Sequence, residues 1–151
     1  MKANYANSQD HVPRAERNNR TIQERVRAAY HQLPFHHLPR ILVKYLVVDA
    51  TKKLNYFQAQ HGVSKHYSPR MIMHKENLEW EKHCKYCIGD YVQACEDAAI
   101  KNNNKARTLD CLYLRPAGND QGGHDLLHLP ANEVINRAYL ITTPINKAII
   151  R

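Results

Sequence analysis

The sequence predicts an α+β protein in which two amphipathic helices precede a small antiparallel β unit. Apolar residues recur every three or four positions through most of the first 60 residues, as on one face of a helix. The last third instead contains short apolar stretches separated by glycine and proline. We divide the 151 residues into a disordered leader (1–10), a helical segment (11–60), a connector with a short strand (61–106) and a β-rich unit (107–151).

The first helix is predicted to begin near Pro13 and to end before Pro34. Proline suits a first helical turn, because its missing N–H would have no intrahelical partner there. Residues 1–10 are polar and show no apolar period, which is typical of a disordered leader. One stripe of the helix is apolar and comprises Ile22, Val26, Ala29, Tyr30 and Leu33.

A second, more apolar helix is predicted from about Arg40 to Phe57. Its apolar face is broad, since Ile41, Leu42, Tyr45, Leu46, Val48, Ala50 and Leu54 all contribute to it. The first helix alone would leave part of that face exposed. The pattern therefore predicts a further neighbour, either another part of the same core or a partner subunit.

Short strands are predicted in the second half of the chain. One lies within Tyr86–Cys95, and three more lie within Leu109–Arg115, His124–Leu129 and Val134–Ile141. Gly62 to Arg70 is interpreted as a loop, and Gly122-Gly123 as a tight turn between strands. The first of these strands is assigned to the connector, and the other three are predicted to form a small antiparallel unit from about residue 107 to 145, for which a compact barrel is one arrangement.

The formal net charge of +8 favours a polyanionic partner such as DNA. The basic residues of the first helix are the candidate nucleic-acid contacts: Arg14, Arg17, Arg20, Arg25 and Arg27. A solvated helix face that only keeps the protein in solution explains them about equally well. Cys84-Lys-Tyr-Cys87 has the spacing of half a zinc site, but the sequence offers no second pair, so unpaired cysteines are the better interpretation.

The sequence has neither an N-terminal apolar signal segment nor an apolar run of the roughly 20 residues that a membrane span needs. The four cysteines do not form the dense framework of a secreted domain. We therefore expect an intracellular protein, nuclear or cytoplasmic, with no membrane partner.

Seven stretches, taken in order, resemble the integrase region of copia-type retrotransposon polyproteins. They are His11-Val-Pro-Arg-Ala-Glu16-Arg17, Asn19 to Ala28, Leu33-Pro-Phe-His-His-Leu-Pro39, Leu54-Asn-Tyr-Phe57, Gly62-Val-Ser64 with Ser68-Pro-Arg70, Gly89 to Gln93, and Leu114 to His124. The resemblance covers nearly all of the chain after residue 10. It implies that the two helices come from the end of an RNase H-like catalytic core.

The resemblance also implies the chemistry. Such cores hold Mg²⁺ or Mn²⁺ with two aspartates and a glutamate, and two metal ions can clamp the attacking and leaving oxygens of a phosphodiester. Glu16 would be the third carboxylate, both catalytic and metal-ligating, with DNA and other integrase subunits as partners. An ordinary acid favoured at a helix N-terminus is the alternative for Glu16.

This sequence departs from the family pattern around the glutamate and in the missing carboxylates. Arg14 and Ala15 replace residues that are usually acidic and β-branched, and neither expected aspartate is matched in this chain. We therefore expect a fragment of an integrase that binds nucleic acid but is inactive in strand transfer alone. The alternative is a domesticated or pseudogene remnant that acts only as a nucleic-acid or protein binding module.

Overall fold

The structure is a computed structural model that describes residues 12–58, 62, 64–96, 104, 106–119, 121–145 and 149–150. Four helices and five strands lie within these residues. The helices are α1 (Pro13–Gln32), α2 (Arg40–Tyr56), α3 (Pro69–His74) and α4 (Trp80–His83). The strands are β1 (Tyr91–Cys95), β2 (Thr108–Pro116), β3 (His124–His128), β4 (Glu133–Arg137) and β5 (Leu140–Thr142). The predicted α+β class is confirmed, whereas the predicted leader lies outside the described residues.

Both long helices have the bounds that the sequence predicts. α1 begins at Pro13, and the N–H of its C-cap residue Leu33 is hydrogen-bonded to the Tyr30 carbonyl. α2 follows after a short connection and buries Leu42, Leu46 and Ala50. None of the residues of α1 is fully buried. The helix is held in position by its packing on α2.

The prediction that residues 62–70 form only a loop is wrong at its end, because α3 begins at Pro69. Ser68 is the N-cap, and its hydroxyl accepts a hydrogen bond from the Met71 N–H at 3.3 Å. A serine followed by proline is therefore a helix start here, since both residues suit the unpaired N–H groups of a first turn. Lys75 ends the helix in the left-handed conformation.

The five strands form one antiparallel sheet in the order β4-β3-β2-β1-β5. β1, which lies in the segment assigned to the connector, is paired on both sides, with Val92 opposite Cys111 of β2 and Thr142 of β5. The strand begins at Tyr91 rather than near Tyr86, because Gly89 adopts a φ of 88° and a turn occupies the preceding residues.

The predicted strand Val134–Ile141 is two strands that lie at opposite edges of the sheet. Only Ala138 and Tyr139 separate β4 from β5. Three Cα–Cα steps of 3.80 Å limit the distance from Arg137 to Leu140 to about 11 Å. The sheet must therefore curl until its two edges approach each other, although no hydrogen-bonded pairing of β4 with β5 closes it into a barrel among the described residues.

The core has two clusters, one on each face of the sheet. The first joins Leu42 and Leu46 of α2 to Ile88 and to sheet residues Leu112, Leu114 and Leu127. The second contains Val92, Ala94, Cys111, Tyr113 and Leu126, with Ile135 of β4 and Leu140 of β5 packed against it. Since all five strands contribute to the second cluster, it fills the inside of the curl. The first cluster attaches the helices to the outside.

Candidate nucleic-acid interface

Within the part of the chain that the structure describes, the basic helix α1 packs on the core at its C-terminal end. Its C-terminal half packs on the core through Val26, Ala29 and Leu33. Every residue from 13 to 20 is exposed, a stretch that spans about 12 Å at 1.5 Å per residue. The outer half of α1 (residues 13–20) therefore exposes its side chains to solvent around most of the helix.

The five predicted arginines are all exposed but do not share one face. At 100° per residue, Arg17 and Arg20 point most directly away from the apolar stripe, Arg14 and Arg27 lie about 110° from its centre on opposite sides, and Arg25 lies nearest to it. Arg20 is paired with Glu24 of the next turn at 3.0 Å. The helix thus presents Arg17 and Arg20 together on its outward surface, with the other three arginines to either side.

Glu16 lies in the first turn of α1, on the same side as Arg20 and Arg27. A shallow groove follows this side and is lined by Glu16, Asn19, Arg20, Gln23, Glu24 and Arg27. No group of three or more His, Cys, Asp or Glu side chains able to hold a metal occurs among the described residues. The metal-ligand role of Glu16 therefore stays a prediction, and we derive no metal-dependent step.

Cys84 and Cys87, which have the spacing of half a zinc site, are interpreted from the sequence as unpaired cysteines. Cys84 is half-buried and Cys87 is exposed, and both are free thiols. Burial raises the pKa of the Cys84 thiol, with Lys53 acting in the opposite direction. Burial therefore keeps the Cys84 thiol protonated over a wider pH range, which does not favour its use as a metal ligand.

A second basic region was missed by the sequence analysis. A cleft of about 730 Å³ opens between α2, α3, α4 and the turn that joins β2 to β3. Its polar lining includes Lys52, Arg70, His74, Lys82, His83 and Asn119, and we call it the basic cleft. Ser68-Pro-Arg70 and the Leu114-to-His124 segment are both among the stretches that carry the resemblance. Only the packing of α3 beside the β2–β3 turn brings them together.

No protein-family model, no curated protein and no solved structure matches this chain. No helix within the described part of the chain is long and apolar enough to cross a membrane.

Proposed function

We propose that this chain is the C-terminal part of a copia-type retrotransposon integrase core with the β region that follows, and that it acts by binding nucleic acid. The seven ordered stretches between His11 and His124 support the relationship. The observation that carries the binding proposal is the outer half of α1, a basic helix end that is exposed on nearly all sides.

Electrostatics explains why such a helix end suits a nucleic acid. Arginine guanidinium groups donate paired hydrogen bonds to phosphate oxygens. Each phosphate that is neutralised releases condensed counterions, so the affinity falls steeply with salt. Arg17 and Arg20 lie three residues apart and both face solvent, so one backbone strand can contact both.

The test is the salt dependence of duplex DNA binding, measured by fluorescence anisotropy. The slope of log affinity against log salt is negative, and each lost phosphate contact reduces its magnitude by about 0.9. Arg17→Ala/Arg20→Ala should therefore reduce the magnitude of the slope by about 2. Arg40→Ala/Lys44→Ala is the matched control, because it removes two exposed charges from α2. Equal slopes for the two double variants would show that α1 contributes only bulk charge.

The role of Glu16 is tested separately from binding. We propose that this chain alone performs no magnesium-dependent strand transfer, since neither aspartate that the resemblance requires beside Glu16 is matched in the sequence. Glu16→Gln should slightly raise DNA affinity, because it removes a negative charge beside Arg20. Strand transfer by the unmodified chain that Glu16→Gln abolishes would contradict the binding-only proposal and support a catalytic carboxylate.

For the compartment, we propose the nucleus or the cytoplasm, where a partner with a phosphate backbone is available. Other integrase subunits are the second class of partner that the resemblance supports. The apolar side chains exposed on α2, Val43, Val47 and Val48, are available for such a contact.

A further inference from the structure

The basic cleft contains an arginine that is already held in place. Arg70 donates to a Glu76 carboxylate oxygen at 2.8 Å, and its guanidinium lies 5.7 Å from the centre of the Tyr56 ring. Its Nη2 is also 3.2 Å from Nε2 of His83. Nδ1 of His83 lies 2.9 Å from the Glu79 carbonyl, which can only accept, so Nδ1 carries the proton and Nε2 accepts from Arg70.

This arrangement fixes the guanidinium without satisfying it completely. Both contacts, to Glu76 and to His83, are made by Nη2; Nε has no hydrogen-bond partner among the described residues but is itself buried, so Nη1 is the group left for a ligand. Little conformational entropy is lost when a ligand binds an arginine that is already ordered. Glu76 is the more exposed member of the ion pair, at 62%, so it can move aside for a stronger acceptor.

Lys52 supplies a cation that no acid neutralises directly. It makes no hydrogen bond or salt bridge within the described residues. Burial lowers the pKa of the Lys52 ammonium, and repulsion from Arg115 lowers it further, against the attraction of Asp125. That aspartate is already bound to Arg115 at 2.8 Å.

The two carboxylates that line the cleft also form ion pairs. Glu76 is paired with Arg70, and Glu79 is paired with Lys82 at 2.7 Å. Among the described lining residues, the three cations Lys52, Arg70 and Lys82 therefore exceed the two carboxylates by one charge, and partial burial of Lys52 strengthens its attraction for an anion.

The turn between β2 and β3 also lines the cleft, with Gly118 and Gly122 among its residues. A Cβ placed on Gly118 or on Gly122 would meet nothing within 4 Å, so this turn faces open space. Asn119 accepts from the Gly123 N–H through Oδ1, which leaves its side-chain amide N–H groups as donors. A ligand in the cleft can thus approach the turn closely and meet donors there.

We propose that the basic cleft binds a phosphate group, with Lys52 and Arg70 as its principal contacts and Asn119 as a further donor. A phosphate suits the site because its oxygens are acceptors only, while the site offers an ammonium, a planar guanidinium and an amide. The group could come from a nucleic-acid backbone or from a small phosphate compound, which share this chemistry. The site is separate from α1 and does not depend on the function proposed for that helix.

The experiment uses inorganic pyrophosphate as the probe, titrated into the full chain by calorimetry at constant ionic strength. We expect saturable binding that Lys52→Ala weakens about tenfold, the loss typical of a charge-assisted hydrogen bond. Lys82→Ala, at a more exposed position, should weaken it less. Lys44→Ala is the matched control and should leave the affinity unchanged, and circular dichroism confirms that each variant is folded.

Two results would overturn the proposal: binding by the unmodified chain that does not saturate, or an equal effect of Lys52→Ala and Lys44→Ala. Competition then identifies the source of the phosphate. Duplex DNA that displaces pyrophosphate supports a nucleic-acid backbone, and DNA that leaves it bound supports a small phosphate compound. Arg17→Ala/Arg20→Ala should not change pyrophosphate affinity, so failure of the α1 interface and failure of the basic cleft are distinguishable.

Discussion

Replacing Leu42 with alanine tests whether the helices and the sheet share one core. Leu42 is 0% exposed and belongs to the cluster that joins α2 to Leu112, Leu114 and Leu127 of the sheet. The substitution removes three carbons, worth about 2.4 kcal/mol of transfer free energy at ~0.8 kcal/mol each. The cavity that remains adds to this, so we expect the free energy of unfolding to fall by about 3–4 kcal/mol.

The assay combines urea unfolding with hydrogen exchange of the amides in β2 and β3. Because one cluster spans both parts, sheet amides should lose protection together with the amides of α2. Val43→Ala is the matched control, since Val43 is the adjacent residue and is 38% exposed. It should change the free energy of unfolding by less than about 1 kcal/mol. Unchanged protection in β2 and β3 of Leu42→Ala would refute the shared core.

Three further predictions concern single groups. Gly89→Ala should lower the free energy of unfolding in urea by about 3 kcal/mol, because alanine is strained at this positive φ and its Cβ would clash with the side chain of Leu33, the C-cap residue of α1. Gly118→Ala should lower it by only about 1 kcal/mol, because its Cβ meets open space. Burial, and then a nearby lysine, lower the pKa of His124, so the free energy of unfolding should fall as the pH drops below about 6.5. The free energy of unfolding of His124→Gln should fall less over the same pH range. An equal pH dependence of the unmodified protein and the variant would contradict this. Burial raises the pKa of Cys111 to about 11, so iodoacetamide at pH 8 should modify Cys87 long before it modifies Cys111, as mass spectrometry would show.

Helix bounds could be predicted from the sequence because their signals are local. Pro13, Pro34 and Pro39 mark helix ends, and the apolar stripe that begins at Ile22 has a clear helical period. α3 was missed because six residues are too few to show a period. Its start was encoded only in the pair Ser68-Pro69.

The strands show where local signals fail. Val134 to Ile141 looks like one strand, since nothing within those residues indicates that Leu140 pairs with Ala94. The pairing depends on the curl of the whole sheet, which no short segment encodes. The basic cleft was missed for a similar reason, because Lys52 and Arg70 belong to separate elements whose approach is determined by packing.

The pairing of β5 with β1 has a consequence for how the protein folds during synthesis. Val92 cannot meet its partner Thr142 until about 50 further residues have been synthesised. Until then, the edge of β1 that β5 later covers presents unpaired backbone groups, which readily join strands from other chains. A nascent or truncated product ending at Arg137 would retain that open edge and should self-associate.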